Sequence, residues 1–438
     1  MDLLKDNVGK LYRKFFIASF GSALIACIYG LVDMAMVGQY HGPDGSAAMA
    51  VIAPIWNIIY SFGLLCGIGG SVIYAVARGE RDDVKAANGY FTSAFILGAL
   101  WALILWVLVW VCEEPLLRLF GANDALMPLC KEYMVAPKLT VPVYVFINLL
   151  SSFLRNDGDP GRATKAVIFG GIFNVFGDYF FVFTLDMGIK GAGIATAMGA
   201  SMSVLVMLTH FISKKNTLKF VKPLRILNSF KMISVNGFSS FIVDVAMGIA
   251  TMLFNRRVME YLGTDALAVY GVIVVVGTLV QCCSYGIGQA AQPVISRNFG
   301  AGLTDRIKTM LKYNIITAAV FGAIWTVLSM AMPQVFIKLF MTPTPEVLSI
   351  APGIIRTYAI SFVLLPFNIY STYYFQAIMR AKISLIASVA RGIVISGALI
   401  LLLPVAFGGN AVWWAMPITE AVVFVYSAVM MKKVNLSR

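Results

Sequence analysis

Charge is scarce in this chain. Of its 438 residues only 13% are Asp, Glu, Lys or Arg, against about 25% in soluble domains. Apolar residues make up 59% and mean hydropathy is +0.83, which excludes an ordinary soluble domain. Histidine is scarcer still. His41 and His210 are far apart in sequence and cannot build a metal site alone. The six cysteines form no CxxC pair and lie in or beside apolar runs, so they read as small apolar helix residues. No nucleophile–base set or metal cluster is recognisable, which argues against a membrane-embedded enzyme. There is neither a long basic tail nor an interleaving of basic and aromatic residues. The net charge of +13 therefore does not predict a nucleic-acid partner.

What the chain has instead is long apolar runs. The N-terminal MDLLKDNVGKLYRK precedes about 24 apolar residues, too many for the about 7–15 of a signal-peptide core. No small-residue cleavage site follows, so a retained first span is expected. A span needs about 20 mostly apolar residues. Twelve such runs occur, near 15–38, 47–77, 86–112, 133–154, 163–185, 191–213, 232–255, 266–296, 309–332, 351–378, 383–406 and 410–431. Most Lys and Arg residues fall in alternate connections: the N-terminus, Arg78–Lys85, Arg155–Lys165, Lys214–Lys231, Arg297–Lys312, Arg380–Lys382, and a tail with Lys432, Lys433 and Arg438. Positively charged segments stay in the cytoplasm. The runs and the bias together predict an all-α polytopic protein of the plasma (inner) membrane with both termini cytoplasmic; a monomer is expected, though no residue pattern speaks to oligomeric state.

The chain also repeats itself. The GIG of Gly67–Gly69 returns at Gly286–Gly288, Arg78 at Arg297, and LLRLF of Leu116–Phe120 as FIKLF of Phe336–Phe340. Asp82, Val84, Lys85 and Tyr90 return as Asp305, Ile307, Lys308 and Tyr313. Six spans is an even number, so both repeats enter the membrane from the same side, as parallel repeats do. The expectation is two pseudo-symmetric six-helix bundles, 1–213 and 232–438, joined by a cytoplasmic linker at 214–231. LLRLF and FIKLF read as interfacial helices.

The polar residues break this symmetry. Asp33 lies in span 1; Asn174 and Asp178 lie in span 5, four residues apart and so on one helix face. Shifted by one repeat, these positions fall near Met252, Val394 and Ala398, so the second half has no equivalent set. A charge at mid-membrane costs roughly 2.5–3.5 kcal/mol on insertion scales and defaults to function. The set suits a Na⁺ site, or a carboxylate that cycles a proton. Asp244 and Glu420 can face a second-half cavity and bind a cationic substrate; alternatively Glu420 pairs with Arg391.

Taken together, these features resemble the multidrug and toxic compound extrusion (MATE) family along essentially the whole chain. The resemblance rests on the twelve spans, the Asp33 of GLVDMAMVGQY, the Gly-rich span 2 leading to ARG at Ala77–Gly79, RNDGDPGRA at Arg155–Ala163, and FNVFGDYFF in span 5. It implies a first-half cation site of Asp33, Asn174, Asp178 and Thr196, with Na⁺ or H⁺ as coupling ion and no other cofactor. Some branches of the family use a span-7 Glu and a span-10 Asp; here span 7 offers Asn236 and Asp244, and span 10 has no acid. The expected function is a secondary active antiporter that exports organic cations by alternating access. The alternative is a lipid-linked oligosaccharide flippase, whose anionic substrate would want several cavity Arg or Lys residues. A channel would need a symmetric ring or filter, and this polar set is confined to one half.

Overall fold

The computed structural model describes residues 2–436 except 82, 224, 341 and 342. Asp82 of the repeated pattern and Arg438 of the tail lie outside the described residues. Lipid gives backbone groups no partners, so each span must pair its own N–H and C=O groups, which a helix does. Among the described residues, eleven helices are long and apolar enough to cross a membrane. The first six are α1 (Val8–Gly42), α2 (Asp44–Glu80), α3 (Val84–Val111), α4 (Met127–Asn156), α5 (Pro160–Thr184) and α6 (Gly188–Ile212). The seventh, Ile226–Gly300, has 75 residues. Straight, it would run roughly 110 Å, over three times the hydrocarbon core. It breaks at Gly263 (φ 80°, ψ −169°), giving α7 (226–262) and α8 (264–300). The last four are α9 (Thr304–Ala331), α10 (Pro345–Ala377), α11 (Ala381–Phe407) and α12 (Gly409–Lys433). Twelve spans result, most of them a few residues longer than their apolar runs.

Gly42 (φ 64°, ψ −146°) separates α1 from α2 as Gly263 separates α7 from α8. Both adopt the positive φ that glycine tolerates, at corresponding points of the repeat. LLRLF and FIKLF lie in or beside the short helices Glu113–Leu119 and Pro333–Phe340. Asp83 starts α3 by accepting from the amides of Lys85 and Ala86, and Thr344 caps α10 through the Val347 amide at 3.2 Å. The exposed face of α3 carries Leu100, Leu103, Ile104, Val107 and Val111; that of α9 carries Ile316, Val320, Ile324 and Val327. At helical spacing these form apolar stripes suited to lipid.

The two halves meet at the end that holds the termini and the basic connections. Glycine lets the backbones touch there. A Cβ on Gly79 would lie 2.1 Å from the Arg297 carbonyl oxygen, one on Gly300 2.0 Å from that of Val76, and one on Gly237 2.0 Å from that of Leu65. Tyr12 stacks on Tyr313 at 5.6 Å and Phe20 meets Phe321 edge-on at 5.7 Å. The N-terminal segment is tied to the other half, since Arg306 donates to the carbonyls of Leu3 and Asp6 at 3.1 and 2.7 Å.

The connection between α6 and α7 is latched to the first half. Thr217 donates its amide to Asp157 at 2.9 Å, and its carbonyl accepts from Asn88 at 3.1 Å. Buried His210 lies 2.8 Å from Asp157 and 3.4 Å from Asp159. Burial of Asp159 disfavours its charge, but hydrogen bonds from Arg162 and Lys215 outweigh this and hold its carboxyl below the usual range. That contribution is present above the unfolded carboxylate pKa and is lost as pH falls through the lowered folded value.

Gly300→Ala should lower the thermal stability of the purified protein, because overpacking a close contact costs about 1–3 kcal/mol. Gly248→Ala, where a Cβ meets nothing within 4 Å, should leave it nearly unchanged. Melting curves of the two variants in one detergent check this.

Candidate functional site

Three helices of the first half bring the predicted polar set together, and a fourth completes it. Asp33 comes from α1, Asn174 and Asp178 from successive turns of α5, and Thr196 from α6. Thr196 is the hub. Its hydroxyl donates to Asp33 Oδ2 at 3.4 Å and accepts from Asn174 Nδ2 at 3.3 Å. Tyr133 of α4 donates toward the same two oxygens, Asp33 Oδ2 and Thr196 Oγ1, each at 3.3 Å. Nothing in the sequence marked Tyr133. It carries no charge, and its role follows from how α4 packs on α1 and α6.

Close packing holds α5 against α6: Gly199 approaches the Gly170 carbonyl, where a Cβ would sit 2.6 Å away. Directly after Asp178 the helix widens into a π turn, Tyr179–Thr184, a feature frequent at functional sites. Asp33 is 6% exposed, Asn174 3% and Asp178 0%.

The balance of donors and acceptors defines the chemistry. Asp33 Oδ1, Asn174 Oδ1 and both carboxylate oxygens of Asp178 are buried with no donor among the described residues. Buried acceptors normally have partners, and two nearby carboxylates cannot both stay charged and unpartnered in a low dielectric. An oxygen-only donor set of two carboxylates, an amide and a hydroxyl fits a hard cation. It equally fits a proton shared between the acids.

The second-half candidates separate. Asp244 of α7 lines a cavity with Ser240, Tyr285, Thr372, Tyr373 and Arg391. Its Oδ1 accepts from Tyr285 at 2.6 Å, while Oδ2 has no hydrogen-bond donor among the described residues. Glu420 does not open to that cavity. It is fully buried, 2.8 Å from Arg391 Nε and 2.6 Å from Asn368 Nδ2, so the ion pair replaces the substrate-ligand expectation. Asn236 is buried away from the cavity lining, its carbonyl accepting from Gln376 at 2.9 Å. Arg155 is also corrected. Expected in the connection between spans 4 and 5, it lies inside α4 and is 6% exposed.

The halves part away from the basic end. Leu64 of α2 joins Asp244, Tyr285, Tyr373 and Arg391 of the second half in lining one cavity, and Tyr60, one turn earlier on α2, is 40% exposed. A cleft between the bundles therefore reaches mid-helix.

Two six-helix bundles around a cleft, with a cluster of unpartnered buried acids in one of them, are the architecture of a membrane transporter. The MatE family model matches residues 18–180 and 236–401, and the chain belongs to that family. It is similar to the multidrug export protein MepA of Staphylococcus haemolyticus, 24% identical over 427 residues that cover 95% of this chain and 92% of that protein. MepA of Staphylococcus saprophyticus is 23% identical over 426 residues, with the same coverage. A solved outward-facing multidrug resistance MATE family transporter of the MOP superfamily superposes with TM-score 0.89 at 22% identity, covering 98% of this chain and 97% of that chain.

Arg391→Met should destabilise the fold by about 3–5 kcal/mol, because it strands the Glu420 charge. Adding Glu420→Gln should restore most of the loss. Thermal melts of the single and double variants decide; equal melting would mean that Arg391 does not balance Glu420.

Proposed function

We propose that this protein is a secondary active antiporter that exports organic cations across the plasma membrane in exchange for Na⁺ or H⁺. The single observation that carries the reading is the donor-poor cluster of Asp33, Asn174, Asp178 and Thr196, whose unpartnered oxygens call for a cation or a proton. Relatives named as multidrug export proteins support the xenobiotic substrate class.

In this mechanism residues 1–213 and 232–438 rock against each other about the contact at the basic end, with the 214–231 linker between them. The basic end faces the cytoplasm, as the distribution of Lys and Arg implies. The cleft in this arrangement is then open to the outside. The coupling ion binds the first-half cluster more tightly in one arrangement than in the other, and the exported molecule favours the opposite one. Both differences are required, since a ligand with equal affinity for two states shifts neither. Tyr133 and Thr196 orient the Asp33 carboxylate, so they set the ion's affinity. The flippase alternative loses ground because Glu420 neutralises Arg391, leaving the cavity without the cationic cluster that a pyrophosphate would need.

Ethidium efflux from proteoliposomes, under a Na⁺ gradient and separately a pH gradient, tests the proposal. Efflux should follow one gradient and be abolished by Asp33→Asn. Thr196→Val should raise the half-saturating ion concentration about tenfold, the effect of losing one hydrogen bond of about 1–1.5 kcal/mol. Unchanged efflux in Asp33→Asn would overturn the assignment of the site.

A further inference from the structure

His41 stands at the end of α1 that lies away from the basic connections, and it caps a different helix. Its imidazole Nε2 accepts from the backbone amide of Ile189 at 3.0 Å. Ile189 lies in the first turn of α6, where amides have no partner within their own helix. Met187, just before that turn, makes no side-chain cap. The cap therefore comes across from α1. Gly188 leaves it room: its φ is +55°, and a Cβ there would lie 2.6 Å from His41 Nε2.

This contact and the Asp33–Thr196 contact are two rungs between the same helices. From Asp33 to His41 is eight residues along α1, and from Ile189 to Thr196 is seven along α6. Each step is about two helical turns. The end of α1 meets the start of α6, so the helices run antiparallel and the rungs share one register. The outer rung fixes the approach that the inner rung needs, where the Thr196 hydroxyl donates to Asp33 at 3.4 Å.

The outer rung also depends on a proton. A neutral imidazole can accept at Nε2, whereas an imidazolium only donates. Protonation would set two donors face to face and bring a positive charge to the positive end of the α6 dipole. Histidine is the side chain that changes charge between about pH 5 and 8, and His41 is partly exposed. Tyr40 meets its ring edge-on at 4.8 Å and gives its own hydroxyl to Asp186 at 2.6 Å. Asp186, Lys190 of α6, Asp44 of α2 and Glu132 of α4 are exposed, and Lys131 of α4 pairs with Glu114 at 2.7 Å. Among the described residues none of these groups pairs with His41.

Resting on the reading of Asp33 and Thr196 as a cation site, we propose that His41 is a positioning residue for that site and acts as an acid-sensitive clamp. Neutral, it holds the outer ends of α1 and α6 together, and Asp33 and Thr196 face each other. Protonated, it releases α6, and affinity for the coupling ion falls. Acid on the outer side then throttles the exporter apart from any gradient that drives it.

The chain has two histidines, so isotopically labelled histidine in the full-length protein gives two imidazole signals by nitrogen NMR in lipid nanodiscs. His41→Gln identifies them by removing one. His41 Nε2 should be unprotonated and hydrogen-bonded at about pH 7.5 and protonated at about pH 5.5. Thr196→Val, two turns away, should change the dissociation constant of that proton about twofold or more, since coupling between sites is reciprocal. Ethidium efflux from proteoliposomes is then measured under one fixed ion gradient at each external pH. Gln keeps a neutral acceptor, so His41→Gln should match wild type at about pH 7.5 and exceed it about threefold or more at about pH 5.5. Both proteins feel the same driving force, so their ratio reports the clamp. His41→Leu lacks the acceptor and should raise the half-saturating ion concentration at both pH values with little change in maximal rate; if it does not fold, His41→Gln and the NMR titration decide. The proposal is overturned by an Nε2 whose protonation does not change between these pH values, by a dissociation constant untouched by Thr196→Val, or by a Gln-to-wild-type ratio equal at both pH values. Absence of wild-type efflux under any gradient would sink the exporter reading instead, and the nanodisc titration would still decide the clamp.

Discussion

The cost of charge in a low-dielectric interior organises this molecule. Lipid and packed helices solvate neither carboxylate nor guanidinium, so every buried ionisable group must be paired, neutralised or matched by something that arrives. Glu420 follows the first course through Arg391 and Asn368. Asp157 follows it too, gathering His210, Tyr74 and Thr217 around its oxygens. Asp33, Asp178, Asp244 and Arg155 each keep at least one buried polar atom without a partner among the described residues. The contrast between satisfied and unsatisfied charges separates scaffold from site more sharply than burial alone.

The scaffold is symmetric and the unsatisfied groups are not. Gly42 and Gly263 turn the chain at equivalent points, and the basic ends of the halves interlock through glycines that leave no room for a Cβ. Such a contact can serve as a pivot, because it is tight at one end and asks nothing of the other. The acid cluster then lies to one side of the pivot, within a single bundle, while Arg155 and Asp244 lie near the cleft between bundles. In the proposed antiport the ion and the exported molecule therefore occupy separate places, coupled only through the arrangement of the helices. That is the geometry in which two ligands compete for conformation and not for contacts.

Much of this was legible in the sequence, for physical reasons that also mark its limits. The spans could be read because a bilayer imposes a length and a composition on each, and Asp33, Asn174 and Asp178 stood out because polarity is expensive there. Thr196 came only from the family resemblance; a threonine in a membrane helix is unremarkable until its neighbours are known. Tyr133 left no trace for the same reason. Arg155 was read as a loop charge because the apolar run of span 4 fades at its end, while the helix continues through Asn156. Glu420 had two readings, and only the packing of α10, α11 and α12 chose between them.

The central claim is that occupancy of the first-half cluster biases the two bundles between arrangements. The direct test labels exposed Asp44 and Asp265, at the starts of α2 and α8, with spin probes after substitution to cysteine in a background lacking the native cysteines. Double electron–electron resonance then reads the distance between them while Na⁺, and separately pH, is varied. The account predicts that one of the two ions moves population between a long-distance and a short-distance state. A distribution that responds to neither ion would contradict it.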